Sequence, residues 1–207
     1  MGVHPIVRCL EQAERQAVIQ TLAFMSFNPS IGRVLEAGSV DTFTEMVGQF
    51  LSHLSLLTSQ QDFDKFHDQF LGEFMSAVKT AKDDPLAYGQ AQKPLNVFLK
   101  VYVHWASLPS QQIAERVRPL LHVPLDRILM SQVKHLFPKE YHNIVRPAYQ
   151  GCAPSVQLSE VDPDRYRAWQ ACFREISPDR PVLLDVLWNL GRSGGRASRK
   201  KTTGGGS

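Results

Sequence analysis

Apolar residues recur three and four positions apart over residues 7–27, 43–57, 63–78, 95–105, 113–121, 127–137, 165–176 and 182–190. That is the period of a helix with one buried face. Strand-like alternation is nearly absent, and the breaks fall on turn-forming clusters such as Asn28-Pro29-Ser30, Lys82-Asp83-Asp84-Pro85 and Ser107-Leu108-Pro109. The pattern predicts an all-α fold, a single helical body of roughly eight helices. Asp41 or Thr42 ahead of Phe43, Ser110 ahead of Gln111, and Asp162-Pro163 ahead of Tyr166 read as helix starts. A short polar side chain at such a point accepts a hydrogen bond from an otherwise unpaired backbone N–H. The stretch 138–163 carries four prolines and no clear period, so it is expected to wrap irregularly over the surface. No internal repeat of solenoid length is present.

A chain of 207 residues suffices for one domain with a substantial core and is short for two. The expected organisation is a helical body over residues 1–190 and a basic Gly/Ser-rich tail or linker over 191–207. The tail holds five Lys or Arg and no acid, leaving the rest of the chain 18 basic against 20 acidic residues. The body is therefore no general binder of polyanions. DNA binding there needs a localised patch or backbone amides, with the tail adding a salt-sensitive attraction.

No apolar run approaches the roughly 20 residues of a membrane-spanning helix, and the first residues lack the apolar stretch of a secretory signal. Ile6 stands where a myristoylation motif needs Ser or Thr. A cytoplasmic protein with no membrane partner is expected. Cys9, Cys152 and Cys172 are odd in number and far apart, and His104, His122, His135 and His142 lack ligand spacing. Neither a disulfide framework, a metal site nor a cofactor is expected.

The candidate chemistry lies in the centre of the chain. From Tyr88 the sequence runs YGQAQKPLNVFLKVYVHW, read as a Gly-containing turn feeding a helix. Lys93 opens that helix, and Pro94 sits in its first turn, where a missing N–H costs nothing. Exposed amides at such a junction make a seat for a phosphate. An amine held against unpaired N–H groups in a closed pocket is disfavoured as the ammonium, which suits a nucleophile. Further on comes HVPLDRILMSQV, in which Pro124 forces an extended entry and Asp126 stands at a helix N-cap.

Taken together, the two segments resemble a known superfamily. GQAQKPLNVFLK, residues 89–100, resembles the helix-hairpin-helix of the endonuclease III and 8-oxoguanine DNA glycosylases, with Gly89, Lys93, Asn96, Val97 and Phe98 on the pattern. HVPLDRIL resembles the element that carries the superfamily's essential aspartate, here Asp126. The gap between the two is most similar to the archaeal 8-oxoguanine glycosylase branch. About fifty residues share the likeness. Ala91 replaces the usual second hairpin glycine, Pro94 stands where Thr is common, and the iron–sulfur cysteines of endonuclease III are missing.

The resemblance implies a helix-hairpin-helix element, a central cleft and a monomer acting on double-stranded DNA with a flipped target base. It makes Lys93 the nucleophile and Asp126 its partner, with strand cleavage by β-elimination to follow. Gly89, Gln90, Ala91 and Gln92 would hold a phosphate through their amides. Gln60 or Gln61 would lie near the base pocket or fill the gap in the duplex. Among Trp105, Trp169 and Trp188, Trp105 is the candidate for stacking on the base. Two other readings stand beside it. One is a helical ribonuclease using Arg116 and His122, which have the spacing of such enzymes. The other is a catalytically silent module that binds DNA or protein.

Overall fold

Phenylalanines from four helices meet in the core. The ring of Phe43 lies 5.4 Å from Phe27, 6.0 Å from Phe70, 5.8 Å from Phe74 and 6.4 Å from Phe98. Three of these contacts are edge to face, the geometry that the ring quadrupole favours. The structure, a computed structural model, describes residues 5–150 and 156–188. It is an all-α body, as the periodicity predicts, and no strand occurs among the described residues. Nor is any of their helices long and apolar enough to cross a membrane.

The elements are α1 (Pro5–Ser30), α2 (Ser39–His53), α3 (Gln60–Ala77), α4 (Tyr88–Leu99), α5 (Gln111–Val117), α6 (Arg127–Leu136), α7 (Pro138–Glu140) and α8 (Pro163–Ile176). α1 packs on α2 and α4, and α4 also meets α3 and α8, so α4 runs through the middle of the body. Its residues show this: Ala91, Gln92, Leu95, Asn96, Phe98 and Leu99 are all buried. Only the stripe Gln90, Lys93 and Val97, at helical spacing, is partly open.

Several starts agree with the sequence. Ser110 accepts from the Ile113 N–H and Asp162 from the Arg165 N–H. α2 is different: it begins at Ser39, after Gly38 in the left-handed region at φ 86°, rather than at Asp41 or Thr42. A residue free to adopt that φ ends the preceding turn without needing a side-chain cap.

Three expectations are corrected. The stretch 138–163 is not simply irregular: α7 continues as a π-helical turn, Tyr141–Val145, then a 3₁₀ turn, Arg146–Tyr149. Tyr141, Val145 and Tyr149 on these turns are buried against α8, so burial stabilises helical turns that the prolines obscured. The segment expected at 182–190 opens as a 3₁₀ turn, Pro181–Val186, and its last two residues lie outside the described ones. The third correction concerns α4, which starts five residues before Lys93. The tail, residues 191–207, and Cys152 lie outside the described residues.

Candidate active site

Lys93 stands in the second turn of α4, not at its start, and Pro94 lies inside the helix. The amides expected to be free for a phosphate are occupied. The Gly89 N–H donates to the Val161 carbonyl at 2.9 Å, and those of Gln90 and Ala91 donate to the Ala87 carbonyl. Gln92 and Ala91 are fully buried, and the Gln90 carboxamide accepts from the Ala87 N–H at 3.1 Å, capping its own helix. The residues Gly89, Gln90, Ala91 and Gln92 therefore form the first turn of a helix, buried except at Gln90, rather than an exposed hairpin. Gly89 has a packing reason instead: a Cβ there would lie 2.3 Å from the Leu158 carbonyl oxygen and 2.6 Å from the Val161 Cβ.

That close approach brings the segment around Leu158 beside Lys93. The other wall comes from Asp126. Residues 121–126 belong to no helix and end at Asp126, which is itself extended and whose Oδ1 accepts from the Leu129 N–H at 2.8 Å and so caps α6. The other carboxylate oxygen, Oδ2, lies 3.8 Å from Lys93 Nζ. The cap and the ion pair thus use different oxygens of one carboxylate. Both side chains are about one-fifth exposed, 19% and 22%. They line an open cleft of about 650 Å³ with Arg127, Ile128, Val156, Gln157 and Leu158.

A second lysine–aspartate pair was not foreseen. Lys100 lies two turns beyond Lys93, where α4 widens into a π-helical segment, Lys100–Trp105. Such segments are rare and recur at functional sites. Lys100 forms an ion pair with Asp185, and both side chains are nearly buried, 10% and 8% exposed. Lys100 Nζ also lies 4.7 Å from the centre of the Trp105 ring. Burial pushes the Asp185 carboxyl up, Lys100 pulls it back, and Asp126 and Lys93 both act on it. The two pairs are therefore electrostatic neighbours. The sequence signals were a lysine spaced seven residues after Lys93, and an aspartate inside the apolar run PVLLDVLW.

Behind Lys93 lies a buried polar network. Asn96 Nδ2 donates to Gln92 Oε1 at 2.7 Å and to the Tyr166 hydroxyl at 2.8 Å. Asn96 Oδ1 lies 2.9 Å from His67 Nε2, Tyr166 Oη 2.8 Å from His122 Nδ1, and His122 Nε2 2.8 Å from Asp64 Oδ1. These contacts are satisfied with His67 and His122 neutral, each carrying its proton on Nε2, and Tyr166 donating to His122; burial favours the neutral rings. The unpartnered His67 Nδ1 fits a bare nitrogen. Burial pushes both imidazoles below their ordinary value and the Tyr166 hydroxyl well above its own. For Asp64, burial alone would raise the carboxyl, but the His122 and Gln60 hydrogen bonds and Arg174 hold it down at about 2.

The remaining nominated residues fall elsewhere. Gln60 joins that network, donating to Asp64 at 2.7 Å and to the Leu120 carbonyl, whereas Gln61 is exposed. Neither lines the cleft around Lys93. Trp105 is 63% exposed beside the Lys100–Asp185 pair, while Trp169 is core, its indole N–H donating to Tyr149. His122 is buried with both ring nitrogens engaged, and Arg116 donates to the Ser55 carbonyl from an exposed position, so these two do not converge on an open site. Among the described residues no group of His, Cys, Asp and Glu is arranged to hold a metal. No family model, curated protein or solved structure matches the chain.

Proposed function

We propose that this protein is a DNA glycosylase with β-lyase chemistry, excising a damaged or modified base from double-stranded DNA through Lys93 and Asp126. The observation that carries the reading is their meeting, 3.8 Å apart, at one open cleft from two separate elements. An amine beside a carboxylate is the equipment for covalent catalysis at a sugar carbon.

The target nucleotide must leave the stack, because its anomeric carbon is otherwise out of reach. Lys93 acts as the free amine, its ammonium proton given up to solvent, and the Asp126 carboxylate stays ionised and stabilises positive charge growing on the sugar. The amine then forms a bond to C1′ as the glycosidic bond breaks, and the departing base takes the electron pair and a proton. Opening of the sugar ring gives an iminium, from which loss of a proton at C2′ expels the 3′ phosphate. Arg127, which lines the cleft, would supply a positive charge for a DNA phosphate. The likeness to the 8-oxoguanine glycosylases points to an oxidised purine, and a modified base of foreign DNA would use the same two residues.

The test is incubation with duplexes carrying 8-oxoguanine, uracil, an alkylated base or a hypermodified base, followed by borohydride. A covalent protein–DNA adduct that disappears in Lys93→Ala is expected. Trapping undiminished by that substitution would remove Lys93 from the role. DNA binding without excision of any base would leave the silent binding module as the better account.

A further inference from the structure

Gln92 immediately precedes Lys93, and Leu125 immediately precedes Asp126. The Gln92 carboxamide spans the space between them. Its Nε2 donates to the Gly89 carbonyl at 2.9 Å and to the Leu125 carbonyl at 3.3 Å. Its Oε1 accepts from the Leu125 N–H at 3.2 Å and from Asn96 Nδ2 at 2.7 Å. Every donor and acceptor of a fully buried side chain is in use. We propose that Gln92 is a positioning residue that sets the separation of Lys93 and Asp126, by pairing with both backbone groups of Leu125.

The segment 121–126 lies outside any helix, and among the described residues no strand fixes its register. Two glutamines supply that pairing instead. Gln92 grips Leu125 from α4, and Gln170 grips Val123 from α8, accepting from its N–H and donating to its carbonyl, each at 2.9 Å. The two grips differ in what they connect. Gln170 ties the segment to a helix that carries neither member of the pair. Gln92 ties it to the helix of Lys93, one residue from each partner.

The grip works in only one orientation of the carboxamide. Turned over, Gln92 would set its NH₂ against the Leu125 N–H and its oxygen against the Leu125 carbonyl. Asn96 prevents this by donating to Gln92 Oε1, and Asn96 is itself oriented by accepting from His67 and donating to Tyr166. The network thus carries orientation inward to the residue beside Lys93. For DNA chemistry the inference rests on the glycosylase reading; for the geometry it does not.

The experiment compares wild type, Gln92→Met and Gln170→Met in two ways. Without DNA, the Lys93 Nζ–Asp126 separation is read from a crystal structure and the Leu125 amide from hydrogen exchange. With DNA, single-turnover cleavage of a duplex carrying 8-oxoguanine is measured beside binding of that duplex. Gln92→Met is expected to lengthen the separation and expose the Leu125 amide. Its cleavage rate should fall by about tenfold or more with binding within about twofold, since an ångström of misplacement in a reacting pair costs up to about a hundredfold. Gln170→Met should lose comparable stability but less than about threefold in rate at matched folded fraction. Gln92→Glu keeps the acceptor and loses donors, so it should lie between wild type and Gln92→Met, and it serves if the methionine variant does not fold. An unchanged separation and unchanged Leu125 exchange in the Gln92 variants overturns the proposal, as do equal rate losses at Gln92 and Gln170. A wild type inert on every duplex sinks the glycosylase reading instead, and the DNA-free measurements still decide the role of Gln92.

Discussion

The two lysine–aspartate pairs use the same chemistry in different surroundings. Lys93 and Asp126 stand 3.8 Å apart, each about one-fifth exposed, on the wall of a cleft. Lys100 and Asp185 are in direct contact and nearly out of water. Water near the first pair screens the attraction, so neither partner's removal greatly harms the fold, and an incoming group can reach the amine. In the second, each charge depends on its partner, because a buried charge left alone is costly. An exposed, loose pair is suited to reacting and a buried, tight one to holding.

The comparison breaks most visibly at Lys93. Lys93→Ala should lower base excision by about a thousandfold or more, the scale on which removal of a nucleophile acts, with thermal unfolding little changed. The reverse profile is expected of Lys100→Met, which strands Asp185 and should cost about 3–5 kcal/mol of stability, read by denaturant unfolding. Replacing both members, as Lys100→Met with Asp185→Leu, should recover most of that loss, because apolar residues of similar size substitute well for a buried pair. If the double variant is as unstable as the single one, the pair is not the source of the cost.

A smaller effect is expected at Asp126. Asp126→Asn keeps a side-chain oxygen to cap α6 and loses the charge that faces Lys93, so excision should fall by about a hundredfold while the fold persists. Full activity would reduce Asp126 to the cap it also is. The smallest effect is that of pH. His67 and His122 are held neutral by burial, below their ordinary value of 6.5. The unfolded chain therefore binds more protons than the folded one once pH drops below 6.5, and stability should decline from there towards the folded values. Asp64, held at about 2 against 3.8 when free, adds a further loss below 3.8. A melting temperature flat across that range would mean that the imidazoles are not held as the hydrogen bonds imply.

The helices were legible because each buries one face, and the caps at Ser110, Asp126 and Asp162 were legible because a short polar side chain ahead of an apolar period has few other uses. The start of α4 was not. Gly89 read as a turn and Pro94 as a first-turn residue, which set the start at Lys93, yet Gly89 is required by a close approach from Leu158, a contact made across the fold. Pro94 sits within the helix at the cost of one bond to the Gln90 carbonyl. The meeting of Lys93 with Asp126 was expected from the order of two motifs. Lys100 with Asp185 was not, because their 85-residue separation is closed only by tertiary packing. Gln92 was expected to offer only its backbone amide to a phosphate, because the partners of its side chain at Leu125 are likewise brought to it by tertiary packing.

The most direct measurement uses a duplex with an abasic site, which offers the sugar aldehyde whatever base the protein removes. The adduct is reduced with borohydride, digested and mapped by mass spectrometry. The account predicts the label on Lys93, lost in Lys93→Ala and strongly reduced in Asp126→Asn. A label on Lys100 or on the tail lysines Lys200 and Lys201, or no adduct at all, would contradict it.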